Sequence, residues 1–160
     1  MPNLEVTSAA FENEGSIPVR YTCEGEDVSP PLSWSAGPDG TACYALIVED
    51  PDAPNGNWVH WVAWNIQSTS LEASVPTTPK LQNGIRQGKN SWGSSGYRGP
   101  CPPSGTHRYF FRVLALDRQL QAPEGTEAQG FSKIAQGHVL ATGELMGRYA
   151  KQSARARGAS

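Results

Sequence analysis

The sequence is short of the features that announce many common functions. Lys and Arg number 13 against 15 Asp and Glu, giving a net charge of −2, so no broad cationic surface is on offer to nucleic acid. Only the C-terminus is locally basic, with Arg148, Lys151, Arg155 and Arg157 in a tail rich in Ala, Ser and Gly that reads as a solvated end. No apolar stretch approaches the length of a transmembrane helix. The opening MPNLEVTSAAFENEG has neither the cationic start nor the apolar run of a signal peptide. A cytoplasmic protein with no transmembrane segment is the simplest expectation.

Cysteine is scarce too. Cys23, Cys43 and Cys101 form no CxxC, so a structural zinc site has no support. Cys43, inside ACYALIVED, is expected in the core. Cys23 and Cys101 both lie in Gly/Pro-rich loops; a reducing compartment argues against their pairing, and the sequence leaves the matter open. No G-x-S-x-G frame surrounds Ser104 or Thr106, the hydroxyls nearest His107. No internal repeat and no linker interrupt the chain, so residues 1–150 are expected to form a single domain, with 151–160 as a flexible tail.

What the chain does have is glycine and proline, 17 and 13 of them, scattered rather than clustered, with 38% hydrophobic residues. That pattern favours a mostly β, loop-rich domain over a helical bundle. The strongest strand is expected over residues 41–49, apolar on both faces and therefore central. A second follows at 58–66 (WVHWVAWNI) and a third at about 108–116. Shorter strands are expected within SIPVRYTC and PLSWSA, and residues 67–95 read as loops with one weak edge strand. One helix is expected over 126–136 with Thr126 as N-cap, followed by a last strand in HVLATGELMGRYA.

The loop between the first two strong strands, DPDAPNGN, is a local return. If those strands pair antiparallel, Asp50 and His60 share one end of the sheet. His107 and Tyr109 open the third strand, directly after the rigid GYRGPCPPSGT. If that start lies at the same end of the sheet, Asp50, Asp52, His60, His107 and Tyr109 converge on one rim, with Trp58, Trp61, Tyr97 and the prolines as apolar walls. Each residue also has a plainer role. The aspartates suit Asx turns, His60 suits a core position bonded to a carbonyl, and Arg108 suits an ion pair with either aspartate.

DPDAP at 50–54, HW at 60–61 and GYRGPCPPSGTHRY at 96–109 resemble the two signature regions of the phosphatidylethanolamine-binding proteins, and more closely the bacterial Raf kinase inhibitor-like branch. IPVRYTCEGEDVSPPLSW and GHVLATGELMGRY are similar to that branch as well, so the likeness covers nearly the whole chain. The resemblance implies a β-sandwich of two antiparallel sheets with a helix near the C-terminus, and a small anion pocket at the end of the central sheet. Matched by position, Asp50, His60, Pro102, Pro103, His107 and Tyr109 would bind the ligand, with Asp52, Arg108 and Cys101 supporting. It also implies a cis Ala53–Pro54 bond, histidine and tyrosine donors to a phosphate or carboxylate, and no cofactor or metal. A small phosphorylated or carboxylated ligand is the expected partner, and the resemblance allows a kinase or protease partner and a homodimer.

This chain differs from eukaryotic members in its short 54–58 loop and in Val59, where many carry a second histidine, so the partner-facing surface around the pocket differs. Two other functions fit the same residues. A His/Asp/Tyr cluster in a dry pocket can run general acid–base chemistry, as a hydrolase or a cyclase-type lyase. Asp50, His60 and His107 also have the chemistry of zinc ligands, though their spacing is not diagnostic.

Overall fold

The computed structural model describes residues 2–152; the expected tail from 153 onward lies outside the described residues. Eight strands form two sheets. In chain order they are β1 (Val6–Thr7), β2 (Leu32–Trp34), β3 (Cys43–Asp50), β4 (Trp58–Ile66), β5 (Ser70–Leu71), β6 (Arg86–Gln87), β7 (His107–Leu116) and β8 (Val139–Tyr149). The helix α1 (Ala128–Ala135) precedes the last strand. The large sheet runs β6-β4-β3-β7-β8 and the small one β1-β2-β5, with every neighbouring pair antiparallel.

β3 is central because nearly all of its side chains are apolar, and they feed two cores at once. Leu46 and Val48 join Trp61, Phe111 and Val113 beneath the small sheet, which contributes Val6, Leu32 and Trp34. Ala45 and Ile47 face the other way, where α1 covers the sheet with Ala128, Phe131 and Ala135. Cys43 is a free, buried thiol in this second core, and burial pushes its pKa up.

Three expectations differ. The segment SIPVRYTC forms a 3-10 turn over Val19–Tyr21 rather than a strand. Its backbone bonds are local, Tyr21 N–H to Pro18 O and Thr22 N–H to Val19 O, and the Thr22 hydroxyl also donates to Val19 O. Thr126 does not cap α1: its hydroxyl donates to Pro123 O, and Glu127 takes the N-cap position without a side-chain bond. The polar stretch from 67 to 95 holds two short strands, β5 and β6, instead of one.

Register decides where the site falls. β3 and β4 pair antiparallel with Asp50 opposite Trp58. Val48 pairs Trp61 while Glu49 pairs Val59, which leaves His60 as the extra residue of a β-bulge. The bulge switches the phase of the strand: Val59 packs with the helix-side core, whereas Trp61 packs between the sheets. An inserted residue of this kind re-aims a side chain at the end of a sheet.

Candidate functional site

The strand ends bring Asp50, His60, His107 and Tyr109 together around one cavity of about 240 Å³. His107 and Tyr109 alternate on the same face of β7 as Phe111 and Val113, so both point inward and are buried. Asp50 and His60 are buried as well.

The carboxylate of Asp50 is used on both oxygens. Oδ1 accepts the Asp52 backbone N–H at 2.8 Å, the Asx-type turn that starts the loop, and Oδ2 accepts the His107 Nδ1–H at 2.7 Å. Asp50 thus serves the turn and fixes the histidine tautomer together, leaving His107 Nε2 for the cavity. Asp52 turns outward, and Arg108 clamps it by two side-chain bonds of 2.8 and 2.9 Å with a third from the Arg108 backbone N–H at 3.0 Å. These bonds hold the Asp52 carboxyl down at about 2. The pair supports the loop and lines no part of the cavity.

His60 is held by the opposite wall. Its Nδ1–H donates to the Arg98 carbonyl at 2.7 Å, while the Arg98 backbone N–H donates to the His60 carbonyl at 3.1 Å. Desolvation by burial lowers its pKa to about 4, so the ring is neutral at physiological pH. Sequence reasoning expects His60 to donate to an anion; with Nδ1–H committed to a carbonyl and the ring uncharged, its free nitrogen accepts instead.

The Tyr109 ring is fully packed, edge-on to His60 with ring centroids 5.2 Å apart. Its hydroxyl is buried without a hydrogen-bond partner of good geometry, and the Cys101 backbone amide is the group near enough to oppose the rise in its pKa. Desolvation nonetheless pushes that pKa up, so the phenol stays protonated and can donate.

The Gly/Pro wall is fastened from behind. Cys23 and Cys101 are joined in a disulfide, with Cα atoms 5.4 Å apart. Cys23 N–H also donates to Pro100 O, and Gly99 N–H donates to Asp27 Oδ1 at 2.7 Å. Only glycine fits at 99, because a Cβ would lie 2.1 Å from the Tyr21 carbonyl oxygen. Cys101, Pro102 and Pro103 line the cavity, and the Ala53–Pro54 turn faces them with a trans peptide bond, not the cis bond expected. Trans is the ordinary form of an X–Pro bond.

Trp61 and Tyr97, expected as pocket walls, belong instead to the core, where their rings meet edge to face at 5.5 Å. Sequence reasoning missed Trp92. It is 37% exposed, lines the cavity beside Trp58, and lies edge-on to both Trp58 and His60. The Arg98 guanidinium sits 4.8 Å from its ring centroid. The available signal was an isolated tryptophan in the polar run NSWGSSG. No group of three or more His, Cys, Asp or Glu is placed to hold a metal among the described residues.

A large antiparallel sheet under a smaller one, with a rigid polar pocket at the end of the central strands, defines a class of β-sandwich proteins. Within it, the chain belongs to the phosphatidylethanolamine-binding protein family, whose sequence profile matches residues 7–150. It is 49% identical over 148 residues to a UPF0098 protein of Methanothermobacter thermautotrophicus, covering 91% of this chain and 98% of that protein. A UPF0098 protein of Aquifex aeolicus is 42% identical over 151 residues, covering 91% and 88%. The crystal structure of CT736 from Chlamydia trachomatis, described as a phosphatidylethanolamine-binding protein homolog, superposes with a TM-score of 0.86 at 38% identity, covering 94% of this chain and 99% of that one. Escherichia coli YbcL, described as a member of the mammalian family, gives 0.85 at 31% identity, covering 93% and 99%.

Proposed function

We propose that this chain is a binding module for a small oxyanion, a phosphate monoester or a carboxylate, seated among Asp50, His60, Pro102, Pro103, His107 and Tyr109. Tyr109 carries the reading: the residue lines the cavity, and its buried hydroxyl has no protein partner of good geometry, which leaves its proton for a ligand. His107, oriented by Asp50, offers a second contact through Nε2. The pre-fastened wall supports the reading because little ordering entropy is lost when a ligand enters. A kinase or protease that recognised the occupied pocket would be modulated through it.

Catalysis is the second reading, favoured by the Asp50–His107 pair at 2.7 Å, the arrangement a general base uses. Against it, the lining residues include no serine, threonine or free thiol, and both Asp50 oxygens are occupied. A phosphorus NMR titration of O-phosphoethanolamine tests both. The binding reading predicts a shifted or broadened resonance with wild type, weakened about 10-fold or more in Tyr109→Phe, which removes one buried donor and nothing else. A resonance unchanged by saturating protein contradicts binding, and inorganic phosphate appearing with time makes the chain a hydrolase.

A further inference from the structure

The Cys23–Cys101 disulfide is the last fastening of the cavity wall before β7 begins. Upstream of it the wall is well held. The Tyr97 hydroxyl donates to Tyr21 O at 2.7 Å, Arg98 N–H to His60 O and Gly99 N–H to Asp27 Oδ1. Downstream it is not. Pro102 and Pro103 have no N–H to give, and Ser104, Gly105 and Thr106 make no hydrogen bond among the described residues. The Cys101 amide lies beside the Tyr109 hydroxyl without a bond of good geometry. Residues 101–106 therefore form a flap, pinned at one end by the sulfur and the Cys23 N–H bond to Pro100 O, and at the other by the pairing of His107. Its first three residues line the cavity, and Pro103 to Thr106 are exposed.

The far side of the disulfide is anchored independently. Thr22 bonds Val19 O through both its N–H and its hydroxyl, and Asp27 N–H donates to Arg20 O. The Glu24 carboxylate accepts the Tyr149 hydroxyl and the Gln152 N–H, which ties this loop to the end of β8. If the sulfurs part, the flap is the side free to move. The disulfide is also open to attack from outside: Cys23 is exposed and Cys101 half-buried, so a thiolate reaches Cys23 without entering the cavity. Cys43, 1% exposed in the helix-side core, is in no position to exchange with either.

We propose that Cys23–Cys101 is a reversible redox lock on the 101–106 flap, opened by a dithiol reductant acting at Cys23. One thiolate of the reductant attacks Cys23 Sγ, the S–S bond breaks, and Cys101 leaves as a thiolate that takes a proton. The reductant's second thiol then attacks the mixed disulfide and releases Cys23, which is protonated in turn. Two electrons and two protons pass to the protein, and the dithiol becomes a disulfide. The reduced flap loosens one side of the cavity and leaves a free Cys101 thiol there. The bonds that remain at Gly99 and Tyr97 keep the two cysteines close enough to rejoin. The lock acts on the shape of the cavity whatever enters it, so it stands apart from the binding reading.

The test is treatment of the native wild-type protein with dithiothreitol, read by iodoacetamide labelling with mass spectrometry and by NMR. Cys23 and Cys101 are expected to be labelled without denaturant, and Cys43 to stay unlabelled. The order parameter of the Cys101 amide is expected to fall from about 0.85 to below about 0.6 on reduction. The Cys23 amide is expected to exchange about 10-fold faster or more, while the amides of β3 keep their protection. Oxidised glutathione, which takes back the two electrons, is expected to restore the starting spectrum. A disulfide that resists dithiothreitol until denaturant is added overturns the proposal, as does loss of β3 protection on reduction, since either makes the bond a structural staple. A reduced, folded protein with the Cys101 and Cys23 amides unchanged overturns it too, because the flap would then be held without the sulfurs.

Discussion

At the scale of single residues, the same burial that keeps His60 neutral links the site to stability. In the unfolded chain a histidine titrates near 6.5, and in the folded protein His60 titrates at about 4. The unfolded state therefore binds more protons between those values. The stability His60 contributes is present above pH 6.5 and is lost as pH falls toward 4, amounting to about 3 kcal/mol across the window. Asp52 acts lower down: its carboxyl, held at about 2 by Arg108, loses its contribution only as pH drops from near 3.8 toward 2. Denaturant melts of wild type and His60→Gln at pH 7.5 and 5 check this. The wild type is expected to lose stability over that interval and the variant to lose much less; parallel losses in both would place the buried proton acceptor elsewhere.

At the scale of elements, the cavity depends on a wall that makes no sheet hydrogen bonds of its own. Residues 98–103 are held by the reciprocal Arg98–His60 backbone and ring contacts, by Asp27 on Gly99, and by the disulfide across 78 residues of sequence. Closing so long a loop constrains the unfolded chain, so the Cys23→Ser/Cys101→Ser variant is expected to lose about 2–5 kcal/mol in chemical denaturation. A loss under about 0.5 kcal/mol would mean that the hydrogen bonds alone fasten the wall.

The elements also show what was legible in the sequence. Strands β3, β4 and β7 were readable because dense apolar and β-branched runs have few other places to go. The turn at Val19–Tyr21 was not, since its extended-looking composition is overruled by local bonds from Tyr21 and Thr22. The bulge at His60 was equally hidden, because it exists only in the pairing with Val48 and Glu49. Antiparallel pairing alone placed Asp50 beside His60, while His107 and Tyr109 join them because β7 starts at the same end of the sheet, antiparallel to β3. The donor and acceptor roles were not legible, because they are set by the Arg98 carbonyl, on a loop 38 residues further along the chain.

At the scale of the whole molecule, the two-sheet body gathers the buried polar side chains of Asp50, His60 and His107 at one end of the large sheet. No helix among the described residues is long and apolar enough to cross a membrane. The Cys23–Cys101 bond pulls against the expectation of a reducing cytoplasm, since such bonds persist mainly where the surroundings are oxidising or the host is hyperthermophilic. That bond also answers why a rigid Gly/Pro loop stands against two histidines and a tyrosine: it is the fixed back wall of a polar cavity. The central claim is that this cavity holds an oxyanion on Tyr109 and His107. The most direct measurement is a crystal structure of the protein with saturating inorganic phosphate. The account predicts one phosphate in the cavity, with oxygens within hydrogen-bond reach of Tyr109 Oη and of Nε2 of both histidines. A cavity holding only water, or a phosphate bound elsewhere on the surface, would contradict it.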